Sequence, residues 1–505
     1  MTLSLPAALS RPSVSIALAL VAGALYPLAF APYHYWWMLY PVVAGFFLAL
    51  AASSRPLLTV WCFGLAKYAF GASWIYVSIN VYGGASPLLA TLLVAIFVSG
   101  MALFYLPMGW LFRLLRPGTV LGCVVVFGWG WHLKDWLLGW FLTGFPWLYP
   151  GYALTESVMA GLLPLVGVLS AGTLVVLCTL GLPLAWLAWR DMHRQRALVL
   201  LGIAVMPLLL GWLANQVNWT QASGSMQVAL VQGNIDQATK WNPERRVPNL
   251  RVHEELSESH WQEVDLMVWP EAAITMFSQQ AGSYLEDLNA QALRSNTDLV
   301  TGIPGADVYP DGSWDFKNLA VGMGRAQGRF AKEHLVPFGE YVPLQEVLRG
   351  LIQFFDLPMS NATPGVAGQP NLQLSMGAAS MGICYEVAYA DSMRQRTRDA
   401  VVMMTLSNDT WFGSSIGPHQ HLQIARARAL ENGRWMLRAT NNGITALIDE
   451  RGRVVAQAPQ FEPVVLRGEA QTREGSTPYA LMGELWTGLL LVLGAGFILM
   501  RRALL

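Results

Sequence analysis

The chain has 505 residues, 54% of them hydrophobic and only 13% charged, about half the charged share of a soluble domain. Its 32 basic and 32 acidic residues cancel to a formal net charge of zero, which excludes the basic footprint of a nucleic-acid-binding protein. Composition therefore points to a membrane protein with room for one full-sized water-soluble domain.

Seven apolar runs precede residue 216, at 14–31, 36–53, 57–78, 87–111, 119–141, 157–188 and 198–215. Each approaches the ~20 residues that a helix needs to cross a bilayer. An eighth run, 480–499, ends at Arg501 and Arg502. Arg11 before the first run and Ala29-Phe30-Ala31 after it resemble a cleaved leader, but Pro32 follows at once, so an uncleaved first helix is predicted. If the runs alternate, Arg11, Arg55, Arg113, Arg116, Arg190, Arg194, Arg196, Arg501 and Arg502 share one side, and the short loops 32–35, 79–86 and 142–156 hold no Lys or Arg. The positive-inside rule then predicts cytoplasmic termini and a soluble domain on the outer face. Lys67, Lys134 and Asp135 fall within runs; intramembrane charge is a functional hypothesis by default, yet mutual pairing inside the bundle is the reading adopted.

The resulting organisation is a seven-helix membrane domain over 1–220, a catalytic domain over 221–475, and a C-terminal membrane helix over 476–505. Within the middle part, strands are predicted at 226–234, 264–270, 299–304, 318–323, 377–385, 400–408 and 443–456, with a turn at Glu450-Arg451-Gly452-Arg453. Helices are predicted at 283–295 and 421–434. Such alternation suggests layered sheets covered by helices, an α/β fold. No Cys/His set has metal spacing; His419 and His421 are read as surface or substrate-contact residues.

Cys384, in MGICYE (381–386), is the one cysteine between 221 and 475. Cys62, Cys123 and Cys178 lie in apolar runs and read as small buried hydrophobes. Two more strand ends deliver polar residues: VWPEAA (268–273) brings Glu271, and RFAKEHLVPFGEYVP (329–343) brings Lys332 and Glu340. A thiol is mostly protonated at neutral pH, so it needs a base, for which Glu271 serves. Attack on an ester builds an oxyanion, which Lys332 and backbone N–H groups after Cys384 can stabilise. The thioester divides one hard transfer into two easier ones.

The order Glu, Lys, Cys in WPE, KEHLVPFGE and GICYE resembles the nitrilase superfamily, which implies an αββα sandwich; SNDTWFG (407–413) and ARARALENGRWMLRATNNG (425–443) extend the likeness. In the membrane part, WIYVSI (74–79) and GWFLTGFPWLYPGY (139–152) resemble the apolipoprotein N-acyltransferase family of the bacterial inner membrane. The resemblance implies eight membrane helices, a periplasmic catalytic domain, a phospholipid acyl donor (phosphatidylethanolamine in most of the family), and a diacylglyceryl-cysteine apolipoprotein as acceptor. It makes Cys384 the nucleophile, Glu271 the general base and Lys332 the oxyanion stabiliser. It also gives supporting roles to Glu340, Tyr385, Glu386 and Trp241, and an oxyanion contact to Asn318. Ester-to-amide transfer is downhill, and no Walker-type phosphate loop is present, so no cofactor and no metal are expected. GLIQFFDLPM (350–359) is read as an apolar lid, with Leu351, Phe354 and Phe355 facing lipid. Two other readings stay open: a membrane-tethered nitrilase-like amidase or hydrolase, and a non-enzymatic envelope transporter or scaffold.

Overall fold

A computed structural model describes residues 5–115, 117–312, 314–343 and 361–503. The lid residues Leu351, Phe354 and Phe355 lie outside the described residues. The chain divides into two compact units: one comprises 1–76, 87–218 and 481–505, the other 77–86 and 219–480.

The first unit is a multi-pass α-helical membrane region. Among the described residues, four helical stretches are long and apolar enough to cross a bilayer: Pro12–Ala29, Pro87–Leu115, Val158–Arg190 and Arg194–Ala214. The sequence predicted eight. The other four runs are helical too, but fall short for physical reasons. Trp36–Ala52 and Leu485–Met500 are apolar but brief. Pro56–Gly71 has 16 residues and contains Lys67, and Val120–Leu138 contains Lys134 and Asp135. These charges are fully buried. Lys134 pairs with Asp135, and Lys67 donates to the Tyr105 hydroxyl at 3.2 Å beneath the Tyr26 ring, 4.5 Å from its centroid. Around them, Phe46 stacks on Phe63 with ring centroids 3.8 Å apart, and Tyr105 and Trp131 pack against the pair.

The second unit holds two six-stranded sheets. The first contains β1 (Thr220–Gln232), β2 (Leu266–Val268), β3 (Asp298–Val308), β4 (Trp314–Gly324), β5 (Arg329–Ala331) and β12 (Val464–Gly475), in the order β12-β1-β2-β3-β4-β5. The second contains β6 (Leu372–Leu374), β7 (Gly377–Ile383), β8 (Val402–Ser407), β9 (Met436–Thr440), β10 (Ala446–Ile448) and β11 (Val454–Gln457), in the order β11-β10-β9-β8-β7-β6. In each sheet the central strands are parallel: β1, β2 and β3 in one, β7, β8 and β9 in the other.

Side-chain alternation explains the layering. Val228, Leu230, Leu266 and Val268 meet Met381, Ile383, Val402, Met404, Leu406 and Leu437 in one core between the sheets. Their neighbours Ala229, Val231, Met267 and Trp269 turn the other way, toward Leu250 and Leu288 on the helices Arg246–Glu258 and Gly282–Arg294. Strands buried on both faces read as unbroken apolar runs, which is why LMVW (266–269) and AVVMM (400–404) are apolar throughout. The helix Gly417–Asn432 belongs to the second sheet's half and is buried along most of its length. The result is the α/β layering of a nitrilase-like fold. The predicted 443–456 strand is a hairpin, β10 and β11, turned at Asp449–Gly452. Strand β12 is absent from the sequence prediction; its half-exposed, charge-bearing pattern hides it. It pairs antiparallel with β1 from Gln232↔Val464 to Thr220↔Gly475.

Candidate active site

The carboxyl ends of the parallel strands carry the chemistry, where crevices form in open α/β sheets. Glu271 stands just past β2, in a turn where Ala272 adopts φ +48°. Gly302 on β3 makes room for that turn: a Cβ there would lie 2.7 Å from the Glu271 Cα. Lys332 directly follows β5, and its N–H bonds back to the Asn318 carbonyl on β4. Cys384 directly follows β7 and adopts φ +52°, a left-handed conformation that costs a side-chain-bearing residue roughly 1–2 kcal/mol.

These three loops converge. Lys332 is 1% exposed and Glu271 7%. The Lys332 ammonium donates to Glu340 Oε1 at 2.8 Å and to Glu271 Oε1 at 3.3 Å. Burial alone would lower the lysine pKa; the Glu271 and Glu340 carboxylates and Cys384 outweigh it and raise the value, so the ammonium stays charged. The amide Nδ2 of Asn318 donates to Glu271 Oε1 at 2.7 Å and to Glu340 Oε1 at 3.1 Å. Both of its N–H bonds are thereby engaged by carboxylates, and Asn318 bridges the two acids. The second Glu271 oxygen accepts the Asn408 backbone N–H at 2.8 Å, and the second Glu340 oxygen accepts the Val336 N–H at 2.8 Å.

Cys384 is partly buried. Desolvation, then the Glu271 charge, push its thiol up to about 12, while Lys332 and a Ser407 hydrogen bond pull the other way and Asp409 adds to the rise. At rest the sulfur is therefore a neutral thiol, and a neutral thiol beside a carboxylate and an ammonium is equipped for base-assisted attack on a carbonyl.

The carbon-nitrogen hydrolase family matches residues 227–478, and the apolipoprotein N-acyltransferase N-terminal domain matches residues 22–181. The chain is similar to apolipoprotein N-acyltransferase of Pseudomonas syringae pv. tomato, 43% identical over 472 residues that cover 92% of each chain. It is 43% identical to that of Azotobacter vinelandii over 494 residues, 96% of this chain and 95% of the other. It is 37% identical to that of Vibrio cholerae over 498 residues, 95% and 96%. The chain belongs to the apolipoprotein N-acyltransferase family. It is thus an acyltransferase with a nitrilase-type α/β unit.

Other residues of this N-acyltransferase have structural duties that their sequence context did not display. Glu386 is fully buried. One oxygen accepts the N–H groups of Glu333 at 2.8 Å and His334 at 3.2 Å, and Arg396 at 3.2 Å; the other accepts the Ile383 N–H at 2.7 Å. It thereby ties the Lys332 loop to the end of β7. Glu333, His334 and Glu386 also bring three possible ligand atoms within 4.8 Å, but Arg396 already bonds both carboxylates. Tyr385 is buried edge-on against Tyr389, with ring centroids 5.4 Å apart. Trp241 is half-buried and follows Lys240, whose ammonium donates to the Glu271 carbonyl at 3.2 Å; burial lowers that lysine to about 8. His421 is not a surface residue: it is 1% exposed, and its Nε2 lies 3.0 Å from the Cys384 carbonyl oxygen. Ser407 and Asn408 are not among the residues singled out from the sequence, although SNDTWFG places both at a strand end as VWPEAA places Glu271; of the two roles read for His421, its burial removes the surface one.

Proposed function

We propose that the chain takes an acyl group from a membrane phospholipid, holds it as a thioester on Cys384, and passes it to the α-amine of a diacylglyceryl-cysteine at an apolipoprotein's N terminus. The transfer of an acyl group to lipoprotein N termini follows from the family; the donor, the acceptor's lipid and the residue roles are our reading. In the first half, Glu271 takes the thiol proton as Sγ bonds to the ester carbonyl carbon. Lys332 and the backbone N–H after Cys384 stabilise the oxyanion. The C–O bond then breaks, and Glu271 returns the proton to the departing lysophospholipid hydroxyl. In the second half the amine attacks the thioester, Glu271 accepts the proton lost from nitrogen, and the thiol is regenerated with it. Glu340 and Asn318 hold the Glu271–Lys332 pair, and Glu386 holds the two loops that carry Lys332 and Cys384. The observation that carries this reading is the buried Lys332 shared by Glu271 and Glu340, with Cys384 in a left-handed turn at the end of β7.

The same reading gives eight membrane crossings, with the four briefer or charge-bearing helices completing the bundle, both termini in the cytoplasm of a bacterial inner membrane, and the catalytic domain (221–475) in the periplasm. Support comes from the arginine-free loops 32–35, 79–86 and 142–156.

Intact-protein mass spectrometry of the full chain, after incubation with phosphatidylethanolamine in detergent micelles, tests the mechanism. The expected product is an added fatty acyl mass that hydroxylamine removes, that a diacylglyceryl-lipopeptide amine discharges, and that Cys384→Ala lacks. Steady release of free fatty acid with no need for an amine would instead establish a hydrolase.

A further inference from the structure

The Cys384 carbonyl is held by a further buried group beyond the acids already described. His421, on the helix Gly417–Asn432, places Nε2 3.0 Å from that carbonyl oxygen and Nδ1 3.0 Å from Asp409 Oδ1. Arg438 on β9 places Nη2 2.5 Å from Asp409 Oδ2 and 3.1 Å from His421 Nδ1. The Ser407 hydroxyl donates to Asp409 Oδ1 at 2.6 Å. His421 and Asp409 are each 1% exposed, and Arg438 is fully buried. At Gly443, a Cβ would collide with the Asp409 carboxylate, so the neighbouring loop is shaped around this group.

A carbonyl oxygen can only accept, so Nε2 carries the proton whether the ring is neutral, with Nδ1 accepting from Arg438, or charged, with Nδ1 donating to Asp409. Arg438 and Ser407 fix Asp409, Asp409 and Arg438 fix the ring, and the ring donates to the nucleophile's own carbonyl. That carbonyl shares its peptide unit with the Tyr385 N–H, the first backbone donor after the sulfur. A hydrogen bond accepted at C=O polarises the amide and strengthens its N–H as a donor. The same bond restrains a residue held at φ +52°.

We propose that His421, oriented by Asp409 and Arg438, is a positioning residue for acyl transfer: its Nε2–H holds the strained turn of Cys384 and polarises the peptide whose N–H faces the developing oxyanion. This rests on the reading of Cys384 as the nucleophile. The ligand-facing chemistry stays with Cys384, Glu271 and Lys332; His421 acts through the peptide between residues 384 and 385.

The test compares His421→Leu with His421→Gln in the full chain, following single-turnover acyl-enzyme formation from phosphatidylethanolamine by intact mass, with thermal melting alongside. Leucine fills the space without a donor; the glutamine amide nitrogen reaches the place of Nε2. We expect acylation to slow about 10- to 30-fold in His421→Leu, at unchanged half-saturation by phospholipid, and to stay within about threefold of wild type in His421→Gln. A merely structural role would lower the melting point of both variants and would not separate their rates. Equal rates in the two variants, or wild-type acylation in His421→Leu, would overturn the proposal. If His421→Leu does not fold, His421→Met is read in the same assay. A ¹⁵N-histidine spectrum of the wild-type protein adds an independent check: an unprotonated Nε2 at His421 overturns the proposal, and a protonated one supports it. Acyl-enzyme in Cys384→Ala would overturn the nucleophile reading itself, whatever the His421 variants do.

Discussion

Replacing Glu271 with glutamine keeps the side chain's size and one acceptor oxygen but removes the group that takes the thiol proton. With Cys384 pushed up to about 12, forming the thiolate from solvent at pH 7.5 costs about 6 kcal/mol. The carboxylate meets that cost in the wild-type protein by taking the proton as the carbon–sulfur bond forms. The full penalty overstates the loss, because the Glu271 charge itself raises the thiol, and removing it lets the value fall part of the way back. Acyl-enzyme formation in Glu271→Gln should therefore slow about 1,000- to 10,000-fold at pH 7.5. The variant's residual rate should rise about tenfold per pH unit from 7 to 10, as hydroxide makes the thiolate that the carboxylate no longer assists. The wild-type profile should be much flatter over that range. Quenched-flow mixing with phosphatidylethanolamine micelles, read by intact mass from pH 6.5 to 10, measures both. Equal rates at pH 7.5, or a variant profile without upward slope, would show that Glu271 is not the base.

Glu386→Ala strips the acceptor from three backbone N–H groups and from Arg396; each orphaned donor costs about 1–3 kcal/mol. Its melting point should drop well below that of Glu386→Gln, which keeps one oxygen; identical fluorimetric melts of the two would refute the stapling role. Asn318→Ala frees Glu271 and Glu340 from their shared amide, and hydrogen bonds to charged groups contribute about 1.5–3 kcal/mol. Acyl-enzyme formation should fall about tenfold or more and the melting point should drop by a few degrees, and an unchanged single-turnover rate would sink the bridging assignment.

The legibility of this chain follows its physics. Strands β2, β7 and β8 are buried on both faces, so their apolar runs stand out, and the polar residue that ends each run marks a loop at the sheet's carboxyl edge. Glu271 and Cys384 stand out for that reason; Lys332 follows the short, partly exposed β5 and stands out only by its place in RFAKEHLVPFGEYVP. Asn318 was visible as a residue but not as a bridge, because its partners come from two other loops, and only the β3–β4 pairing that sets Asn318 opposite Pro304 brings it there. His421 looked like a lone polar residue on a helix; its meaning depends on Asp409 and Arg438, which fold in from a strand end and from β9. The membrane unit was read from hydropathy alone, which reports composition but not where helices break. The brevity of Trp36–Ala52 and Leu485–Met500 and the charges in Pro56–Gly71 and Val120–Leu138 separate eight apolar runs from the four long apolar stretches.

The long pairing of β1 with β12 has a consequence for the origin of such a chain. Thr220 sits opposite Gly475, so the two ends of the stretch 219–480 leave from neighbouring positions on one strand pair. A domain whose ends adjoin can be spliced into another chain at a single point with little disturbance to either fold. Residues 219–480 thus begin and end at one place on their own sheet, with β12 closing behind them like a clasp.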